Sequence, residues 1–192
     1  MPRKQLPKET ILDAALQVII RDGHEKMNIK TVAVQLGRST QTISWAFGNM
    51  EAFRDEVFGY ALQYANRKVS FPSENPIEEY GAVGVGYIRM AYETPNLIRF
   101  LHADEKKLQA IGGLGGSFDP VSAQKRRAAF AKQFGCTEEV AGKFMETMLI
   151  YSHGLVSMIL QGGIQKSLPE VLKMLNEIGA DLMHTYISQR SA

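Results

Sequence analysis

Few folds accommodate the stretch that runs from Asn28 to Phe47. Asn28 is a helix-capping residue, and Ile29, Val32, Ala33 and Leu36 then recur at helical spacing. Gly37 interrupts them at the point where a backbone able to take positive φ costs least. Ser39 is expected to offer its hydroxyl to the first N–H groups of a second helix, whose buried side carries Ile43 and Phe47. Two short helices joined by so tight a turn make a helix-turn-helix. The other side of the second helix is left to Thr40, Gln41, Thr42, Ser44 and Trp45. These short polar groups with one aromatic suit hydrogen bonding to base edges and phosphates better than filling a core.

Taken alone, the same window also fits two ordinary core helices separated by a glycine. Its neighbours decide against that. Upstream, Lys8 to Asp22 repeats apolar residues at Leu12, Ala15, Leu16, Ile19 and Ile20, and Gly23 stops the pattern. Downstream, Asn49 is placed to cap a longer helix with Phe53, Val57, Ala61 and Tyr64 on one face. The residues from Ile11 to Leu16, Gly23, Val32-Ala33, Leu36-Gly37, Thr42-Ile43, Phe47 and Phe53 together resemble the TetR family of one-component bacterial regulators. The resemblance implies that the second helix of the motif enters the major groove of operator DNA. It implies base contacts from Thr40, Gln41, Thr42 and Trp45, with Asn28, Lys30 and Ser44 nearer the phosphates.

Three positions depart from the family pattern. Ser44 stands where tyrosine is usual, Ala46 where tyrosine or histidine is usual, and Met50 where lysine is usual. Each usual residue can hold a phosphate, and losing a charged contact flattens the salt dependence of binding by about one counterion. The remaining phosphate holders are Lys30, Arg38, the N-terminal Arg3 and Lys4, and the positive end of the helix at Ser39. An alternative function follows from these departures: a ligand-binding or scaffold dimer of the same fold with weakened or lost DNA binding.

The charge distribution fits a DNA-reading N-terminus. Residues 1–50 hold seven Lys and Arg against four Asp and Glu, whereas 51–192 hold fifteen against sixteen. The basic excess sits where the motif sits. The single cysteine, Cys136, has no partner for an internal disulfide, which fits a reducing compartment. No apolar run approaches the roughly eighteen residues of a membrane span. The expectation is a cytoplasmic chain with no membrane partner, beginning with a short arm of the kind that can follow a minor groove.

Beyond residue 70 the punctuation consists of helix starts. Asn75, Thr94 and Asp119 each precede a proline, Ser167 and Glu170 have the spacing of a capping box, and Thr137 precedes two glutamates. No alternating run bounded by turns is present, so the chain is expected to be all-α. Helices are predicted at about 76–93, 95–107, 120–134, 138–161 and 168–188. The expected division is a helix-turn-helix domain over 1–50 and a helical effector-binding and dimerisation domain over 51–192. The glycine cluster at 112–116 has neither the preceding strand nor the Lys-Ser/Thr of a P-loop, and reads as a flexible loop.

The last two helices carry strong apolar faces. Val140, Phe144, Met148, Tyr151, Leu155 and Ile159 line one, and Val171, Leu175, Ile178, Leu182 and Tyr186 the other. Gly179 and Ala180 form a small-residue patch where a partner helix can approach. The resemblance implies a homodimer through these two helices, 138–161 and 168–188, as a four-helix bundle. A two-fold dimer would present two reading helices about one DNA turn apart.

Gly81, Gly84 and Gly86 lie inside one predicted helix, where each costs roughly 1 kcal/mol against alanine. Close helix packing explains such glycines, and so does space for a ligand. Tyr87, Met90, Phe100, His102, Met145, Met148, Tyr151 and His153 surround them in the expected bundle. Aromatic and methionine side chains suit a deformable apolar cavity, though they are equally the material of a plain core. The resemblance implies a small-molecule effector bound there, with Tyr87, Met90, Phe100, His102, Met148, Tyr151 and His153 as the candidate ligand-binding residues.

No catalytic constellation is present, so the chain is not expected to be an enzyme. His24, His102, His153 and His184 have no metal-ligand spacing, and no Gly-x-Ser-x-Gly motif occurs. Cys136 has no paired histidine in sequence, and the pairs Glu78-Glu79 and Glu138-Glu139 point to different sides of a helix. No cofactor or metal is expected. The sequence thus predicts a regulator, in the repressor sense, that leaves its operator when a small apolar or aromatic ligand binds.

Overall fold

The computed structural model describes residues 6–69, 73–110, 113–114 and 119–187. The described residues form ten α-helices, one short 3-10 turn and no strand. In order the helices are α1 Lys8–Asp22, α2 Ile29–Leu36, α3 Thr40–Phe47, α4 Met50–Val69, α5 Pro76–Glu93, α6 Pro95–His102, α7 Glu105–Ala110, α8 Pro120–Phe134, α9 Glu138–Leu160 and α10 Leu168–Ile187. The all-α expectation holds. The 3-10 turn, His24–Lys26, was not anticipated. It follows Gly23, whose φ of 89° ends α1.

The chain divides into two compact units, Met1–Ala65 with Thr94–Glu105, and Asn66–Glu93 with Lys106–Ala192. The helix-turn-helix lies within the first of these units. In the first unit Ile11, Leu16 and Ile19 of α1, Val32 of α2, Ile43 of α3, and Phe53 and Val57 of α4 are fully buried. α6 joins them, because Leu97, Ile98 and Leu101 put its apolar face into the same core. Burying three such side chains stabilises by ~1.5–3 kcal/mol each, enough to hold an eight-residue helix that would not persist alone. Asn96 ties it further by donating to the Ile20 carbonyl at 3.2 Å.

The predicted helix 95–107 is two helices. The Ala103 N–H reaches both the Arg99 carbonyl at 3.0 Å and the Phe100 carbonyl at 3.3 Å, the tightening that accompanies a helix end. Asp104, a poor helix former, then separates α6 from α7.

In the second unit Phe130, Ala131, Ala141, Phe144 and Met145 form a core that Tyr80, Phe134, Leu182 and Tyr186 complete. Phe130 stacks on Phe144 with ring centroids 4.8 Å apart. The helix starts follow the sequence in most cases. Asn75 accepts from the Ile77 N–H at 3.0 Å, Asp119 from the Ser122 N–H at 2.7 Å, and Thr137 from the Val140 N–H at 3.3 Å. Thr94 makes no such side-chain cap. At α10 only half of the box forms: Glu170 takes the Ser167 N–H at 2.8 Å, and the Ser167 hydroxyl donates to the same carboxylate at 2.6 Å. Those bonds hold the Glu170 carboxyl below its usual range.

Of the three glycines in α5, one has a packing reason. A Cβ on Gly86 would stand 2.8 Å from the Val69 Cα, so the two backbones touch there. At Gly84 the nearest neighbour is the Ser152 Oγ at 3.8 Å, and at Gly81 nothing lies within 4 Å.

Candidate nucleic-acid interface

The geometry of the α2–α3 pair begins at Asn28, whose side chain accepts from the Thr31 N–H at 3.0 Å and starts α2. At the other end Gly37 sits at φ 60°, ψ 38°. Its N–H bonds the Val34 carbonyl at 3.1 Å, while the Arg38 N–H bonds the Ala33 carbonyl at 2.9 Å. This paired arrangement is a Schellman ending, which satisfies the last carbonyls and sets the direction in which the chain leaves. Gln35 holds α2 to α1 by donating to the Ala14 carbonyl at 3.2 Å.

α3 follows with Ile43 and Phe47 buried. Ser39, Thr40, Gln41 and Trp45 are exposed, Thr42 and Ser44 half-buried. Trp45 keeps 74% of its surface open to solvent, an unusual exposure for the largest apolar side chain in the protein. Asn28, Lys30 and Arg38 are also exposed and lie on the same two-helix unit. The nine residues expected to read DNA thus share the surface of one motif. Arg3 and Lys4, expected to add phosphate contacts, lie outside the described residues.

Ser39 behaves differently from expectation. Its hydroxyl pairs with the Thr42 hydroxyl at 3.1 Å, and α3 has no side-chain cap. Two hydroxyls three residues apart face each other on one side of the turn, and each satisfies the other more readily than it reaches a backbone N–H. The consequence favours an anion. The Thr42 N–H bonds the Ser39 carbonyl at 3.1 Å, no side chain caps the turn, and the partial positive charge of the helix start points outward.

The charges around the motif separate into committed and open ones. Arg21 grips Asp22 with Nη2 at 2.6 Å and Nε at 2.9 Å, and that hydrogen bond holds the Asp22 carboxyl below its usual range. Lys8 is 2.6 Å from Glu56. Lys30 and Arg38 have no ion pair among the described residues.

The residues 11–57 match the family model described as "Bacterial regulatory proteins, tetR family". Over this stretch, about a quarter of the chain, the protein is similar to that family. The match runs from the first buried residue of α1 to Val57 of α4, so it covers the helix-turn-helix and the helices that brace it. The matched helix-turn-helix supports a TetR-like DNA-binding transcriptional regulator. No curated protein matches the chain. Among the described residues no helix is long and apolar enough to cross a membrane, and no three His, Cys, Asp or Glu side chains gather as a metal site.

The candidate ligand residues fall into both units. Tyr87 and Met90 of α5 are buried, and the Tyr87 hydroxyl shares a hydrogen bond of 3.1 Å with His153 Nδ1 on α9. Their rings stack at 6.3 Å. Met148 and Tyr151 are half-buried on α9, while His153 is exposed. Phe100 and His102 are on α6 in the first unit, where Phe100 packs against Phe58 at 5.6 Å and His24 at 6.0 Å. Sequence reasoning overlooked Tyr80 and Ser152. The Tyr80 hydroxyl donates to the Met145 carbonyl at 2.6 Å, and the buried Ser152 donates to the Met148 carbonyl at 2.7 Å. The signal was present: Tyr80, Gly84 and Tyr87 are spaced by four and three, which places them on one face of α5.

Proposed function

We propose that this protein is a repressor that reads a specific operator through α3 and leaves it when a small apolar or aromatic molecule binds in the second unit. The observation that carries the reading is the outward flank from Ser39 to Trp45, polar except for one exposed indole, on a helix whose opposite side is buried. Gln41 and Thr40 have the amide and hydroxyl that recognise base edges, and Trp45 offers an apolar surface for thymine methyl groups. Lys30, Arg38 and the positive end of α3 hold phosphates.

The protein works as a homodimer through α9 and α10. Support comes from Ile150 and Met158, which leave 65% and 50% of their surface exposed on α9. His153 and Gly154 lie between them on the same stripe. Covering this face with its copy removes apolar surface from water and pairs the two reading helices across a two-fold axis. The effector lies beside Tyr87, Met90, Met148, Tyr151 and His153, and its binding shifts the dimer between two shapes of different operator affinity. The site of action is the cytoplasm, where the DNA is.

The departures at Ser44, Ala46 and Met50 favour a second reading, a ligand-binding dimer that no longer holds DNA. Titrating the duplex upstream of its own gene at several salt concentrations separates the two. A repressor gives salt-sensitive binding with a slope of roughly −3 to −4 for two heads with two open cations each. A protein that has lost its operator shows no difference between that duplex and an unrelated one.

A further inference from the structure

We propose that two copies of the chain cross at Gly154 of α9, and that Tyr87, buried on α5, tightens the crossing by fixing the His153 ring beside it. Such a crossing presupposes the homodimer through α9 and α10 and adds to it a contact point and a control. Between Glu146 and Lys166 the chain has no Asp, Glu, Lys or Arg. The exposed faces of α5, α8 and α10 differ, with Arg89, Lys125 and Lys173 open to solvent. Yet this part of α9 is not all interior, because Ile150, His153, Gly154 and Met158 are exposed. At 100° per residue Ile150, Gly154 and Met158 fall within about 80° of arc, with His153 at the flank.

The absence of charge selects the occupant. In a two-fold contact a surface meets its own copy, so a charge near the axis faces its like, whereas an uncharged apolar stripe is complementary to itself. Gly154 places the axis. A glycine inside a helix costs roughly 1 kcal/mol against alanine, and beyond its own turn of helix nothing in the chain lies within 4 Å of where its Cβ would stand. Bare backbone at that point lets a second α9 come close.

His153 supplies the control. The Tyr87 hydroxyl and His153 Nδ1 share a hydrogen bond of 3.1 Å, and the two rings stack at 6.3 Å. Tyr87 is buried and His153 exposed, so the bond joins the inside of the second unit to the stripe. With Nδ1 engaged the ring keeps one orientation, and less freedom is lost when a copy packs against it. Tyr87 is also a candidate effector residue. An occupant that takes its hydroxyl releases the ring at the crossing.

The test uses the whole protein. Sedimentation of the unsubstituted chain is expected to show a dimer, and a monomer at micromolar concentration removes the homodimer and its crossing together. With Cys136→Ser to remove the native thiol, Gly154→Cys is expected to give a covalent dimer in oxidised glutathione. A residue at the axis meets its own copy within the roughly 4.4–6.8 Å Cα separation of a disulfide. Glu139→Cys, about four turns away on the same helix, is expected to stay unlinked. A dimer that fails to link at 154, or links equally at 139, overturns the crossing point and leaves the homodimer standing. Tyr87→Phe is expected to raise the dimer dissociation constant about tenfold, since the loss occurs once in each copy, and to add nothing in a His153→Ala background. An equal rise in both backgrounds, or no rise in the first, overturns the role of Tyr87. Circular-dichroism melts report on folding, and Ile150→Cys, one turn away on the stripe, replaces the 154 variant if that one does not fold.

Discussion

Lys8 and Glu56 meet at 2.6 Å, joining the first residue of α1 to the middle of α4, and the same Lys8 ammonium lies 4.8 Å from the centre of the Phe47 ring. Phe47 is the last residue of α3 and packs on Phe53 at 4.8 Å. One cation therefore touches the end of α3 and ties α1 to α4. A lysine near the start of a DNA-binding head would ordinarily be assigned to phosphate, but this one is already neutralised.

The double variant Lys8→Met/Glu56→Gln keeps the net charge of the head and tests that assignment. Both side chains are about half exposed, so the loss in stability is expected to be small, about 1 kcal/mol or less. The salt slope of operator binding is expected to remain as in the unsubstituted protein. A slope smaller by about one per head, measured by anisotropy across a salt series, would show that Lys8 holds a phosphate after all.

The glycines of α5 give opposite predictions. Gly81→Ala adds a methyl group where nothing lies within 4 Å, and should stabilise by roughly 0.5–1 kcal/mol through helix propensity. Gly86→Ala puts a carbon 2.8 Å from the Val69 Cα, a backbone atom that cannot swing aside, and should destabilise by roughly 1–3 kcal/mol. Urea unfolding of the two variants measures both. Equal and opposite-to-expected shifts would mean that α4 and α5 do not approach as described.

Tyr80 predicts a loss of stability in alkali. Burial pushes its phenol up to about 12 from an ordinary value near 10, with Arg126 pulling weakly the other way. Below about pH 10 the phenol is neutral in the folded and unfolded chain alike, and its contribution is fully present. As pH rises past that point the unfolded chain ionises first, and stability falls until the folded chain ionises near 12. The full effect of two units is about 2–3 kcal/mol. Tyr80→Phe should flatten this alkaline decline, while costing about 1 kcal/mol at neutral pH for the hydroxyl that bonds the Met145 carbonyl. Comparing denaturant midpoints of the two proteins up the alkaline range reads the difference.

Much of the helix framework was legible because its signals are local. α5 and α8 begin and end at the predicted residues, α9 ends one residue early, and α10 begins as predicted and runs to Ile187, the last described residue. Gly37 and Asn28 could be placed for the same reason: a positive φ and an asparagine cap are decided within five residues. Tertiary packing was not legible. Phe100 and His102 looked like members of the second unit because they follow α5 in the chain, yet three buried aliphatic residues commit α6 to the first. Ser39 carries the sequence signature of a cap, and the structure gives its hydroxyl to Thr42, a choice between two partners of similar strength that spacing cannot settle. The candidate reading residues were legible as a set because the buried pair Ile43 and Phe47 fixes which side of α3 faces out.

The most direct test of α3 as a reader of bases is the affinity of the protein for every single-base variant of its operator, measured with and without Gln41→Ala. The substitution is expected to remove about 1–3 kcal/mol of discrimination at one base pair in each half-site, leaving the other positions and the salt slope as they were. A uniform loss at all positions, or no change at any, would contradict the assignment of that flank to base recognition.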